Sequence, residues 1–82
     1  WNEWHHIVEQ CQIKRSGFAA ETIQNVNNVI NISKEVHRKI SAYYSSIDPS
    51  ISSTMRVRDW LAGKSYEFQF RFGLQVLKRF GG

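Results

Sequence analysis

Cysteine is almost missing from these 82 residues. Cys11 stands alone, which excludes an internal disulfide, and it reads as a small apolar filler. Proline is as scarce: Pro49 is the only one, so Ser45-Ser-Ile-Asp-Pro-Ser-Ile-Ser-Ser53 reads as the clear linker of the chain. No apolar run approaches the roughly 20 residues that a membrane span requires, and the opening stretch does not read as a signal peptide. Acidic side chains are few, with 7 Asp and Glu against 11 Lys and Arg, giving a formal net charge of +4. A balance of that sign suits a polyanion such as nucleic acid, an anionic membrane surface or an acidic protein, and does not choose among them.

What is present is one domain's worth of chain with a large apolar payload. A domain of this size buries only about 60% of its unfolded surface, so a bound ion or partner could add to its stability. Three Trp, three Tyr and five Phe argue against disorder. The chain begins at Trp1 instead of Met and closes with Gly81-Gly82; it is read as the C-terminal piece of a longer protein.

Residues 4–10, Trp-His-His-Ile-Val-Glu-Gln, have the β-branched and aromatic content of a short strand. Residues 11–22 have loop chemistry, with one helical turn at 18–22. Asn25-Val-Asn-Asn-Val-Ile-Asn31 favours turns, and Val29 to Ile32 form a second strand, so the two strands make a hairpin with an irregular connection. Ser33 is a good N-cap for a helix from Lys34 to Ser46, whose Val36, Ile40, Tyr43, Tyr44 and Ile47 recur at helical spacing. His37 falls on the edge of that stripe. Thr54 can cap a short helix with Val57, Trp60 and Leu61 on one face and Gly63 at its end.

Tyr66, Phe68, Phe70, Phe72, Leu74 and Val76 alternate as in a strand, whereas Tyr66, Phe70, Leu74 and Leu77 also fit a helical face with Ser65 as its cap. The helix over 66–80 is preferred, because the strand would exceed the usual 3 to 10 residues. Trp4 and Trp60 are assigned to the core, with stacking beside a substrate as the alternative for Trp4. The expected architecture is α+β, with a core over about 4–46 and a helical extension over about 54–80.

The three histidines fall in two places: the pair His5-His6 ahead of Ile7-Val8, and His37 on the predicted helix. Asn28 stands nine residues before His37. In that order, and with a helix begun by Ser33, these residues resemble the HNH, or ββα-metal, nuclease family. They are most like the HNH/endonuclease VII-type toxin domains at the C-termini of bacterial polymorphic toxins whose motif reads Trp-His-His. The motif covers residues 4 to about 44. The resemblance implies that His5 and His37 bind a divalent metal ion (Mg²⁺, Zn²⁺, Mn²⁺ or Ni²⁺), that His6 is the general base, and that Asn28 orients the base and braces the loop. It implies metal-dependent DNA cleavage with little sequence preference and an acidic immunity protein in the producing cell. It also implies a toxin secreted or delivered by that cell and acting in the target-cell cytoplasm.

The residue types suit the chemistry. An imidazole with a reference pKa of ~6.5 can take a proton from water near neutrality, and neutral imidazoles are good ligands for a divalent cation. Some members carry a further helix histidine where this chain has Ser41, so water and substrate would complete the shell. Lys14, Arg15, Lys34, Arg38 and Lys39 would flank the cleft and hold phosphates. Adjacent residues of a regular strand point to opposite faces, so His5 and His6 require a bent or bulged strand end. Two rivals stand beside this reading: a zinc-stabilised ββα module that binds nucleic acid without cutting it, with Cys11 as a possible sulfur ligand, and a metal-free protein-interaction domain.

Overall fold

A computed structural model describes residues 1–81 and shows an α+β fold. Strand β1 (Asn2–His6) pairs antiparallel with β2 (Val29–Ser33), in unbroken register from Asn2 opposite Ser33 to His6 opposite Val29. Between them lie α1 (Gln12–Arg15), α2 (Ala20–Ile23) and a 3₁₀ turn, Val26–Asn28. Helices α3 (Lys34–Tyr44), α4 (Val57–Leu61) and α5 (Tyr66–Gly81) follow.

Strand β1 does not run on to Gln10 as expected. The Ile7 N–H still bonds the Asn28 carbonyl at 2.8 Å, but the Val8 N–H is taken by the Asn28 side-chain oxygen, also at 2.8 Å. With its ladder partner replaced by a side chain, the backbone turns away from β2, and Ile7 and Val8 are buried outside any strand. The expected turn at 18–22 forms over Ala20–Ile23, whereas α1 occupies a stretch read as loop.

Ser33 is both the last residue of β2 and the N-cap of α3, accepting from the Val36 N–H at 3.1 Å. No loop intervenes, so α3 folds straight back over the sheet. Its Ile40 and Tyr44, one turn apart, join Val57 and Leu61 of α4 and Val76 of α5 in the core, with Val36, Tyr43, Trp60, Phe72, Leu77 and Phe80 packed around them. Full burial of one such aliphatic side chain is worth roughly 1.5–3 kcal/mol. Ile47, placed by helical spacing in that core, is 49% exposed: α3 ends at Tyr44, and Ile47 meets only Arg56 in an isolated bridge.

Two more expectations about packing are corrected. Trp4 is 66% exposed because the outer face of a two-stranded sheet has no layer over it, whereas Trp60 is half-buried against Phe68 and Phe72. Cys11 is exposed and fills no core space.

Helix α4 lacks a side-chain cap: Ser52 Oγ, not Thr54, receives the preceding N–H groups, those of Thr54 and Met55. Gly63, at φ +87°, ends the helix as expected. Residues 66–81 are helical, with Ser65 Oγ accepting from the Phe68 N–H. The buried face is rotated from the expected one, being formed by Gln69, Gly73 and Val76, while Leu74 is 44% exposed. Gln69 donates from Nε2 to the Leu61 and Lys64 carbonyls at 3.0 Å, which satisfies its burial. Tyr66 and Phe70 stack in a separate cluster with Phe18.

Gly73 explains the rotation. A Cβ there would lie 2.4 Å from the Ile7 carbonyl oxygen and 2.8 Å from Ile7 Cγ2, so only glycine lets α5 sit on the chain leaving β1. We expect Gly73→Ala to destabilise the protein by about 2 kcal/mol, since overpacking outweighs the gain in helix propensity. Thermal unfolding would show a drop of roughly 10 °C. An unchanged melting temperature would mean that α5 does not hold this contact.

Candidate functional site

Residues two apart on a strand share a face, so Glu3 and His5 both look toward α3. The loop-free Ser33 junction sets His37 one turn into that helix, directly over them. The His5 and His37 rings meet edge-on with centroids 5.4 Å apart, and His37 Nδ1 donates to Glu3 Oε2 at 3.1 Å. That bond leaves Nε2 of His37 for another partner. A carboxylate on the far nitrogen is a common way to orient a ligating imidazole.

His5 is 4% exposed, and its Nε2 is buried without a hydrogen-bond partner. An orphan of this kind costs about 1–3 kcal/mol. Burial, reinforced by the neighbouring His37 and His6, lowers the His5 pKa from 6.5 to about 4. The ring is therefore a neutral imidazole throughout the physiological range, the protonation state a cation ligand needs.

His6 closes β1 and lines the same cavity, of about 220 Å³, as His5 and His37. Both histidines line the cavity although the register stays regular through His6, with no bulge, and the chain bends only after it. Trp4, Glu9, Gln10, Ser41 and Tyr44 complete the wall with Ile40. Two glutamines hold the His6 ring: its Nε2 donates to Gln24 Oε1 at 2.9 Å, and Gln10 Nε2 lies 3.1 Å from both Nδ1 and Nε2. This arrangement puts the ring lone pair on Nδ1.

Asn28 is fully buried. Its Oδ1 accepts from the Val8 N–H, and its Nδ2 donates to the Val8 and Ile23 carbonyls at 3.0 and 2.9 Å. It braces the chain after the histidine pair and does not touch the His6 ring, which the two glutamines orient.

Of the five basic residues singled out, none lines the histidine cavity. Arg15 pairs with Asp59, which also takes Arg56 at 2.8 Å. Lys34 and Arg38 border a neighbouring cavity beside Trp1, while Lys14 and Lys39 are exposed. Arg58 of α4 reaches the site's wall, donating to both oxygens of Glu9, at 3.2 and 2.7 Å, and to Ser45 Oγ at 2.7 Å. The bond to Glu9 raises the Arg58 pKa further.

Glu3, Gln10, Gln24 and the Glu9–Arg58 pair were missed in the sequence. Only Glu3 carried a signal, its two-residue spacing from His5. Among the described residues, no group of three or more His, Cys, Asp or Glu side chains is arranged to hold a metal ion. The candidate site thus offers two imidazoles, His5 and His37. Comparison with protein-family models, with curated proteins and with solved structures finds no match to this chain.

Two outcomes test this geometry. Because folded His5 resists a proton that the unfolded chain accepts below pH 6.5, its contribution to stability is complete above that pH and lost as pH falls to about 4. We expect the metal-free protein to lose about 3 kcal/mol through this group over that window. Urea unfolding of wild type and His5→Gln at a series of pH values reads it as the difference between the two slopes; parallel slopes would refute it. Asn28→Ala leaves the Val8 N–H, the Val8 carbonyl and the Ile23 carbonyl unpaired. It should cost at least about 3 kcal/mol in the same assay, and a cost under about 1 kcal/mol would show that the brace is dispensable.

Proposed function

We propose that this chain is a metal-dependent endonuclease with a ββα-metal core, β1, β2 and α3, and a helical extension, hydrolysing DNA phosphodiesters with little sequence preference. In this reading it is the C-terminal toxin domain of a larger delivered protein, acting in the target-cell cytoplasm and neutralised by an acidic immunity protein. The supporting observation is the meeting of His5 and His37 across the strand–helix junction, with an unpartnered buried Nε2 on one and a carboxylate-oriented ring on the other.

The donor set suits a divalent cation, Mg²⁺, Zn²⁺, Mn²⁺ or Ni²⁺, held by His5 and His37. Bound there, the ion would supply Lewis-acid stabilisation of charge on the phosphoryl group and on the departing 3′ oxygen. His6 supplies the base. Gln24 fixes the ring with its lone pair on Nδ1, and the exposed Gln10 amide stands where a water must come to give up its proton. Asn28 acts through the backbone, as a positioning residue that sets the bend after His6. Lys34, Arg38 and Lys39, exposed on the first turns of α3 and outside the cavity wall, would meet flanking phosphates in this reading, as would Lys14 and Arg15.

A structural zinc site needs four protein donors, and the described residues bring no third to the two imidazoles. Cys11 points to Glu9 at 3.7 Å and is not in the cavity wall.

Purified protein incubated with supercoiled plasmid and a divalent ion should nick it, and a chelator should stop the reaction. His6→Ala should lower the rate by at least about 100-fold with metal binding retained. His37→Ala should weaken metal binding by at least about 10-fold, read by calorimetry. Cleavage by His6→Ala at the wild-type rate would remove the base assignment, and absence of any divalent-ion binding would favour the metal-free interaction domain.

A further inference from the structure

Trp4 is an indole for which the fold itself has no use. It is 66% exposed on the uncovered face of the sheet, opposite the exposed Asn31, yet it forms part of the wall of the histidine cavity. Of the other two tryptophans, Trp60 packs on Phe68 and Phe72 under Lys64, and Trp1, 91% exposed with Lys34 5.8 Å from its ring centre, does not line the histidine cavity. Trp4 has no such cover among the described residues. A large aromatic left in water at the lip of a polar pocket is a recognition element more readily than a packing one.

We propose that Trp4 is a stacking platform for an unpaired nucleobase next to the scissile phosphodiester, so that the preferred substrate is single-stranded or locally melted nucleic acid. The inference rests on the nuclease reading above. The cavity measures about 220 Å³ and Trp4 is part of its wall, so a phosphodiester held at His5 and His37 would bring its attached base toward that indole. Within a duplex both faces of that base are covered by its neighbours. An indole can reach a face only when the base is unpaired or flipped out, and such stacking tolerates any base. The neighbouring Gln10 and Asn31 carboxamides are exposed and offer donors and acceptors to a base edge without enforcing one sequence.

Binding measured in a His6→Ala background, which prevents turnover, tests the proposal. The probes are a twelve-nucleotide oligothymidylate, an oligouridylate of equal length and a DNA hairpin duplex. Adding Trp4→Ala should weaken binding to both single strands by about 10-fold, while duplex affinity changes by less than about 2-fold. Trp4→Phe should restore single-strand binding to within about 3-fold. Since Trp4 is outside the core, the melting temperature of each variant should match its parent. Unchanged single-strand affinity in Trp4→Ala, an equal loss on duplex, or failure of Phe to restore binding overturns the stacking role and leaves the nuclease reading standing. Failure of the protein to bind any of the three probes overturns both. Comparison of the two single strands shows whether the sugar matters.

Discussion

One carboxamide decides where the strand stops. Asn28 stands at the end of the 3₁₀ turn and uses its backbone for the final ladder bond to Ile7, then its side chain for both the N–H and the carbonyl of Val8. An ordinary ladder would have carried the chain past Val8 in pleated register. A third bond, to the Ile23 carbonyl, anchors the same group to α2, so the 3₁₀ turn, the helix before it and the strand exit move together. Each of these bonds is sheltered from water, where leaving a backbone group unpaired is expensive. The bend is therefore a fixed feature of the native state.

The second determinant is the junction at Ser33. Because a residue that ends a strand also caps a helix, the angle between β2 and α3 is set by one residue's backbone and one side-chain bond. That economy brings His37 over Glu3 and His5, residues more than thirty positions earlier in the chain. The resulting pair shares its environment unequally. His37 keeps a carboxylate partner and partial solvent contact, while His5 is sealed with one nitrogen unanswered. An aliphatic side chain at the His5 position would face the same helix without leaving a buried polar atom unpaired.

How much of this was legible depended on whether the signal was local. The Ser33 cap, the second strand and α3 follow from short-range chemistry, whereas residues 66–80 carry both a strand alternation and a helical face, and only length and the Ser65 cap favour the helix found. The order of His5, His6, Asn28 and His37 likewise pointed to the cavity that three of them line. What escaped were decisions made by tertiary contact. The helical stripe of α5 was misplaced because Gly73, which a hydrophobicity pattern treats as neutral, is the residue of closest approach. Trp4 was assigned to the core on its apolarity, although nothing covers a two-stranded sheet on its second side. The strand was extended to Gln10 because a side chain substituting for a ladder partner leaves no periodic trace. Glu9 and Gln10 end the segment read as strand, Gln24 falls just before the asparagine-rich run and Arg58 falls on the short helix after the linker, positions where residue type alone gives no direction.

The close seat of α5 on Ile7 has a bearing on how the chain divides. Residues 4–46 look separable on paper, a minimal unit followed by an appendage. The backbone atom that Gly73 touches is the one immediately after His6, and Val76 shares its core with Ile40 and Tyr44. Trimming the C-terminal helix would strip the lid from the bend and open the floor beneath His37 at once. The core and the helical extension accordingly share one interior.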